Sequence, residues 1–284
     1  MWSDGLAAWF AVNGRHQLPW RLTVEPWPVL VSEVMLQQTS VVRVLPRWHR
    51  FLERWPSPAA CAAAPLADVL REWQGLGYPR RARALWLSAA RVSEGGWPDE
   101  EAGLRSLPGV GGYTARALLA FSELNPSGGH RPPRDVNIGR VAARAALGRE
   151  PSEVAPSTLD TVLDDGRPRD MTVREYAYAL FDVGSRHCRA RPRCEGCPLQ
   201  AGCAATSGDI ETGPRDRRRP RYAGSLRQLR GLVLARALLS PEASPAELRA
   251  AVCGTVGASP ERVSAAIEGL THDGLITAAE RARR

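Results

Sequence analysis

The sequence predicts an all-α protein, and three observations carry that expectation. Alanine, leucine and arginine are abundant, whereas alternating runs rich in valine or isoleucine are scarce. Glycine- and proline-based turn signals break the chain into many short helical segments. No apolar run approaches the ~20 residues needed to span a bilayer, so no membrane association is expected. With 284 residues the chain can bury a large core and form two domains plus a small third.

Charge narrows the partner. All 38 basic residues other than histidine are arginine; against 30 acidic residues they give a net charge of +8 and a pI of about 9.7. That balance points to a polyanion. Lysine is absent, so no lysine amine exists to form a Schiff base.

The elements follow in order. Residues 1–10 form a short amphipathic segment with Asp4 early, unlike a secretory leader, so a cytoplasmic location is expected. Glu33 falls in a helical run among Val31, Val34, Met35 and Leu36, with Gln37 one turn on and on the same face. An apolar setting disfavours a charged carboxyl, so Glu33 is expected to hold a proton near neutral pH; an ordinary helix-surface glutamate is the alternative. Pro56-Ser57-Pro58, Gly75-Leu76-Gly77 and Gly95-Gly96 end successive helices. Leu107-Pro108-Gly109-Val110-Gly111-Gly112-Tyr113 joins two helices through a glycine turn. Outward backbone N–H groups at Gly109, Val110 and Gly111, backed by a helix N-terminus, suit a phosphate and read no base. A plain helix–turn–helix connection is the alternative. Residues 125–133 are a turn-rich break, after which Asp135 stands where a helix N-cap belongs.

Cys188, Cys194, Cys197 and Cys203 fall within sixteen residues, separated by five, two and five. Thiolates so crowded repel one another unless they share a cation. Zinc and a cubane iron–sulfur cluster both take four sulfurs. A zinc ribbon sets two Cys-x-x-Cys pairs apart, whereas one pair with a single cysteine on either side favours the cluster. Two disulfides are the remaining alternative, disfavoured without a secretory leader. Cys61 and Cys253 lie in apolar helical contexts and read as inert core thiols.

Residues 206–222 are polar, arginine-rich and proline-punctuated, a basic linker. Helical periodicity resumes at Ser225 with Leu226, Leu229, Leu232, Val233 and Leu238. Ser244 caps a second helix, Ser259-Pro260-Glu261 starts a third, and Gly274-Leu275-Ile276 turns towards a small wing. Residues 223–284 are thus expected to form a winged-helix-like module, either touching DNA or simply packing on the body.

Four segments together resemble a known family. The glycine turn resembles the helix–hairpin–helix element of DNA repair glycosylases, and its pairing with a downstream cysteine knot is similar to the endonuclease III superfamily. Within it, Pro19-Trp20-Arg21, Ser32-Glu33-Val34-Met35-Leu36-Gln37-Gln38-Thr39, Gly75-Leu76-Gly77-Tyr78 and Asp135-Val136-Asn137-Ile138-Gly139-Arg140-Val141 resemble the signature segments of the MutY family of adenine DNA glycosylases. The resemblance covers residues 15–205, about two thirds of the chain. It implies a six-helix barrel domain over 21–137 and a [4Fe–4S] domain built from 1–20 and 138–205, held by the four cysteines. It implies that Glu33 protonates N7 of a flipped adenine, that Asp135, with Asn137 beside it, stabilises the sugar cation, and that Glu33 then activates water. Tyr113 stands where the lyase members carry lysine, which implies a monofunctional enzyme with little or no strand cleavage. Gln38 and Tyr78 would enter the base stack with Leu76 beside them; Trp20, Arg21, Leu36 and Tyr113 would shape the adenine pocket; Gln37 and Thr39 complete the DNA-contacting set. The expected partner is double-stranded DNA carrying adenine mispaired with 8-oxoguanine or guanine, bound by a monomer.

The chain departs from the family pattern in four places. The first cysteine spacing is five residues instead of six. Tyr178 falls where the family often has a glutamate or glutamine touching adenine. Pro79 replaces a second tyrosine. Residues 223–284 are too short and too helical for the family's NUDIX-like domain. Two rival readings are a mismatch thymine or uracil DNA glycosylase and a non-catalytic, cluster-bearing DNA-binding regulator.

Overall fold

The computed structural model describes residues 1–124, 131–207 and 222–277, and no strand occurs among them. In chain order its α-helices are α1 (Leu6–Asn13), α2 (Pro26–Leu36), α3 (Val41–Arg54), α4 (Pro58–Ala63), α5 (Leu66–Glu72), α6 (Arg80–Gly95), α7 (Glu101–Arg105), α8 (Gly112–Phe121), α9 (Val136–Leu147), α10 (Pro156–Asp165), α11 (Val173–Arg186), α12 (Leu226–Leu239), α13 (Pro245–Val256) and α14 (Pro260–His272). The helices fall into two compact units. One comprises Met1–Glu33 and Trp97–Arg215, the other Val34–Gly96 and Asp216–Arg284.

The first unit is organised around α9. A surface helix hides one stripe, but residues 138–145 of α9 are all buried. Their alanines and Gly139 let α10 and α11 pack closely, together with short 3₁₀ turns at Pro151–Glu153, Gln200–Gly202 and Ala204–Ser207. Buried charge needs partners. Arg140 Nε donates to Cys188 O at 2.6 Å and Arg144 Nε to Glu150 Oε1 at 2.7 Å. Gly184 on α11 is needed at this contact, because a Cβ there would lie 2.9 Å from Asn137 Cβ. A Thr172–Glu175 capping box starts α11.

In the second unit α4 and α5 pack on α6, which buries Ala82, Leu85, Ser88, Ala89 and Val92 at helical spacing. Helices α12, α13 and α14 pack on one another, and α12 also packs on α5. Ser225 caps α12, and a Ser244–Glu247 capping box with Pro245 starts α13, as their sequence suggests. Asp273 accepts hydrogen bonds from Arg230 and from Arg80, the latter at 2.7 Å, and Arg71 Nη2 donates to Leu238 O at 3.1 Å. The C-terminal helices are therefore fastened to residues 66–95 by charge as well as by apolar contact. Gly274, at φ 65°, closes the turn after α14 and Leu275 is buried beneath it. The rest of the expected wing, 278–284, and most of the basic linker, 208–221, lie outside the described residues.

Candidate active site

Burial of Val29, Leu30 and Val31 draws Glu33 inward with them, leaving it 8% exposed. Its pKa rises to about 7. Burial is the main cause, opposed by a hydrogen bond from Tyr113, reinforced by the nearby Asp135 charge and opposed by Arg21. Tyr113 enters from the first turn of α8. Burial and then the Glu33 and Asp135 carboxyls hold its phenol well above the ordinary range, so it stays a neutral donor.

Asp135 is the N-cap of α9. Its Oδ1 accepts from the N–H groups of Asn137 at 2.8 Å and Ile138 at 2.7 Å, and its Oδ2 from Asn137 Nδ2 at 2.8 Å. Arg140 Nη2 in turn donates to Asn137 Oδ1 at 2.8 Å. Burial raises the Asp135 pKa, and these donors and Arg140 oppose the rise. The two carboxyls therefore differ in kind. Asp135 has three donors that favour its anion, whereas Glu33 is desolvated and faces an acidic neighbour. Such a pair divides the labour of proton donor and counter-charge.

Arg21 lies between this pair and a salt-bridge cluster that the sequence did not reveal. Its guanidinium donates to both oxygens of Asp182, at 2.8 and 3.0 Å, and Arg15 Nε donates to the same carboxylate at 2.6 Å. Burial alone would raise the Asp182 pKa, but the two arginines hold it below the ordinary value. Arg21 also lies 4.4 Å over the Tyr178 ring, which stacks on Phe121 at 4.3 Å. Tyr178 thus fills its position as a buried aromatic layer, its hydroxyl bonded to Arg174 and within electrostatic reach of Glu33. Trp20, on the 3₁₀ turn Pro19–Arg21, is buried. An aspartate inside the otherwise apolar run 177–183 is the signal that would have marked Asp182.

The glycine turn has Gly109 at φ 77°, and Gly111 caps α8 without a side-chain bond. The N–H groups of that helix's first turn have no intrahelical acceptor. Val110 differs from the expectation: its side chain is buried and its N–H is used on Leu107 O at 3.1 Å.

The remaining expected DNA contacts belong to the second unit. Leu36 ends α2, and Gln37, Gln38 and Thr39 turn away from it. Thr39 Oγ1 donates to Leu76 O at 3.3 Å, tying this turn to the next. Leu76 is buried, whereas Tyr78 is 42% exposed. Gln38 and Tyr78 have φ of 56° and 49°, the two positive values outside glycine among the described residues.

Comparison with known proteins decides the family. Residues 31–158 match the HhH-GPD superfamily base excision DNA repair protein family. The adenine DNA glycosylase of Mycolicibacterium smegmatis is 39% identical over 276 residues, covering 95% of this chain and 91% of the relative. The chain belongs to the adenine DNA glycosylase family of the HhH-GPD superfamily. The adenine DNA glycosylase of Mycobacterium tuberculosis is 43% identical over 236 residues, 81% of this chain and 76% of that one. A solved thermostable thymine-DNA glycosylase has the same fold, with a TM-score of 0.63 and 23% identity over 72% of this chain and 94% of its own. The match to the first relative can reach 95% of this chain only by running through most of the C-terminal helices.

In this member of the adenine DNA glycosylase family the four clustered cysteines form no disulfide. Burial raises the Cys197 pKa to about 11, and the charges of Cys188, Cys194 and Cys203 each raise it further. Four sulfurs thus share one electrostatic neighbourhood. Arg144 Nη1 reaches Cys188 Sγ at 3.9 Å and Arg189 O at 2.5 Å, holding the loop that carries them. Among the described residues, however, no three or more His, Cys, Asp or Glu side chains stand together in an arrangement that would hold a metal ion. Cys61, by contrast, is buried with its pKa pushed up to about 12, an inert core thiol.

Proposed function

We propose that this chain is a monofunctional base excision repair enzyme that hydrolyses the N-glycosidic bond of adenine mispaired with 8-oxoguanine or guanine in duplex DNA. The observation that carries the reading is the Glu33 carboxyl, protonated up to about pH 7, hydrogen-bonded to Tyr113 and coupled to Asp135. Glu33 gives its proton to N7 of an extruded adenine. The C1′–N9 bond breaks with its electrons passing to the base, and the Asp135 anion stabilises the sugar cation. Water then bonds to C1′ and returns a proton to Glu33. Neutral Tyr113 supplies no amine, and the chain has no lysine, so the product is an abasic site with little or no strand cleavage. Asn137 orients Asp135; Trp20, Arg21 and Leu36 line the base's path; Gln37, Gln38, Thr39, Leu76 and Tyr78 address the stack; and the turn at Gly109 and Gly111 takes a phosphate.

Cys188, Cys194, Cys197 and Cys203 hold a [4Fe–4S] cluster in this reading. A cluster held there would steady the arginine-bearing loop of Arg189, Arg191 and Arg193, a structural contribution apart from base release. The enzyme acts as a monomer in the nucleoid-associated cytoplasm.

A panel of duplexes bearing adenine opposite 8-oxoguanine or guanine, and thymine or uracil opposite guanine, tests the reading. Release of adenine from the first two is expected. Glu33→Gln should keep duplex affinity and lose base release by roughly 10²–10⁴-fold. Thymine release without adenine release would overturn the assignment, and unchanged release by E33Q would remove Glu33 from the mechanism. For the cluster, a broad visible absorption from sulfur-to-iron charge transfer is expected; a colourless protein with one zinc per chain would refute it.

A further inference from the structure

Two turns in the second unit carry strained residues. Gln38 follows α2 at φ 56° and Tyr78 precedes α6 at φ 49°. Residues with a Cβ avoid this region, and strain of this kind persists only where neighbouring structure holds it.

One side chain holds both turns. Arg81, in the first turn of α6, donates through Nη1 to Val34 O at 2.8 Å, Met35 O at 3.3 Å and Gln37 O at 2.5 Å. Through Nη2 it donates to Thr39 Oγ1 at 3.3 Å and to Leu76 O and Gly77 O, each at 3.1 Å. Val34 O and Met35 O are the C-terminal carbonyls that an α-helix leaves without partners, and a cation there also meets the negative end of the helix dipole. The guanidinium lies 5.7 Å from the Trp73 ring centroid and 5.3 Å from that of Tyr78. Trp73 Nε1 donates to the same Gly77 O at 3.1 Å, a second hold on that turn. Arg81 Nε is buried without a hydrogen bond, so the fork is oriented through its two terminal nitrogens, by the end of α2 and by the two turns. All six acceptors are neutral oxygens, four of them in the two turns themselves.

The geometry points to Arg81 as a positioning residue that ties turns 37–39 and 76–78 into one two-pronged wedge, so that Gln38 and Tyr78 enter the duplex as a single body when adenine is extruded. The inference rests on the duplex-DNA reading above. Its physical basis is preorganisation: two independent turns would each be ordered on entering the stack, whereas a clamped pair is ordered beforehand. A planar fork is required, because a lysine ammonium is a point charge with three donors and cannot span both turns.

The test compares, in the full-length chain under single-turnover conditions, adenine in a duplex mispair with the same adenine in an unpaired bulge. Arg81→Gln should slow release from the mispair by about 100-fold and from the bulge far less, since an unpaired base needs no wedge. With 2-aminopurine at the target position, the E33Q protein should raise its fluorescence on binding, and E33Q/R81Q should bind without that rise. Should R81Q fail to fold, Arg81→Lys carries the same comparison, with a selective loss again expected on the mispair. Equal losses on both substrates, or an undiminished fluorescence rise, would overturn the wedge role. Failure of the adenine reading is distinguishable, because the unmodified protein would then release adenine from neither substrate.

Discussion

Glu33 titrates near 7 in the folded chain and near 4.5 once the chain unfolds. Between those values the folded state binds the extra proton, so the Glu33 contribution to stability is greatest below pH 4.5 and declines as pH rises through 7. The accumulated loss is about 3 kcal/mol. The raised pKa that the proposed base protonation calls for is therefore a source of instability near neutral pH. Glu33→Gln removes the penalty, and urea unfolding should find it more stable than its parent by up to about 3 kcal/mol at pH 8 and no different at pH 4. Equal midpoints at pH 8 would mean that Glu33 ionises like a surface carboxyl. The Glu33 environment was legible because its apolar neighbours are adjacent in sequence. The pairing of Asp182 with Arg21 was not, because the partners lie 161 residues apart, and an aspartate in an apolar run marks a buried carboxylate without naming its partner.

At the scale of the element, Asp135 has two separable tasks. Its Oδ1 caps α9 through the Asn137 and Ile138 N–H groups, and its charge lies within reach of Glu33. Asparagine caps a helix about as well as aspartate but carries no charge, whereas alanine does neither. Asp135→Asn should therefore leave thermal stability nearly unchanged while base release falls by orders of magnitude. Asp135→Ala should lose both, with about 1–2 kcal/mol of stability gone from a helix that anchors the first unit. If D135N retains full excision, the capping role is sufficient and the charge has no part in the chemistry. Helix starts of this kind were readable, as Ser225, Ser244 and Asp135 show, because a cap is written within three residues. The turn at Val110 was read less well: a glycine-rich string gives no sign of which N–H a short turn consumes internally.

At the scale of the whole molecule, the chain builds its second unit from two distant stretches, 34–96 and 216–284. The sequence announces three C-terminal helices but not their attachment, because the joining residues, Arg71, Arg80, Arg230 and Asp273, are ordinary surface types until the fold brings them together. Asp273 is the key joint: its side chain is only 5% exposed and serves both Arg80 and Arg230. Removing it leaves the largely buried Arg230 without its charge partner and loses the weaker bond from the mostly exposed Arg80, at a cost on the order of 1–3 kcal/mol. A tethered appendage would confine that loss to itself. In a shared body the disturbance reaches the partner helices, and α5 and α6 should feel it through Arg71, Arg80 and the α12 contact. Hydrogen exchange on Asp273→Ala should accordingly quicken in α5 and α6 as well as in α12–α14, while α9 in the other unit keeps its protection. Quickening confined to residues 223–277 would show that the C-terminal helices fold and unfold on their own, with no part in holding the turn that presents Tyr78.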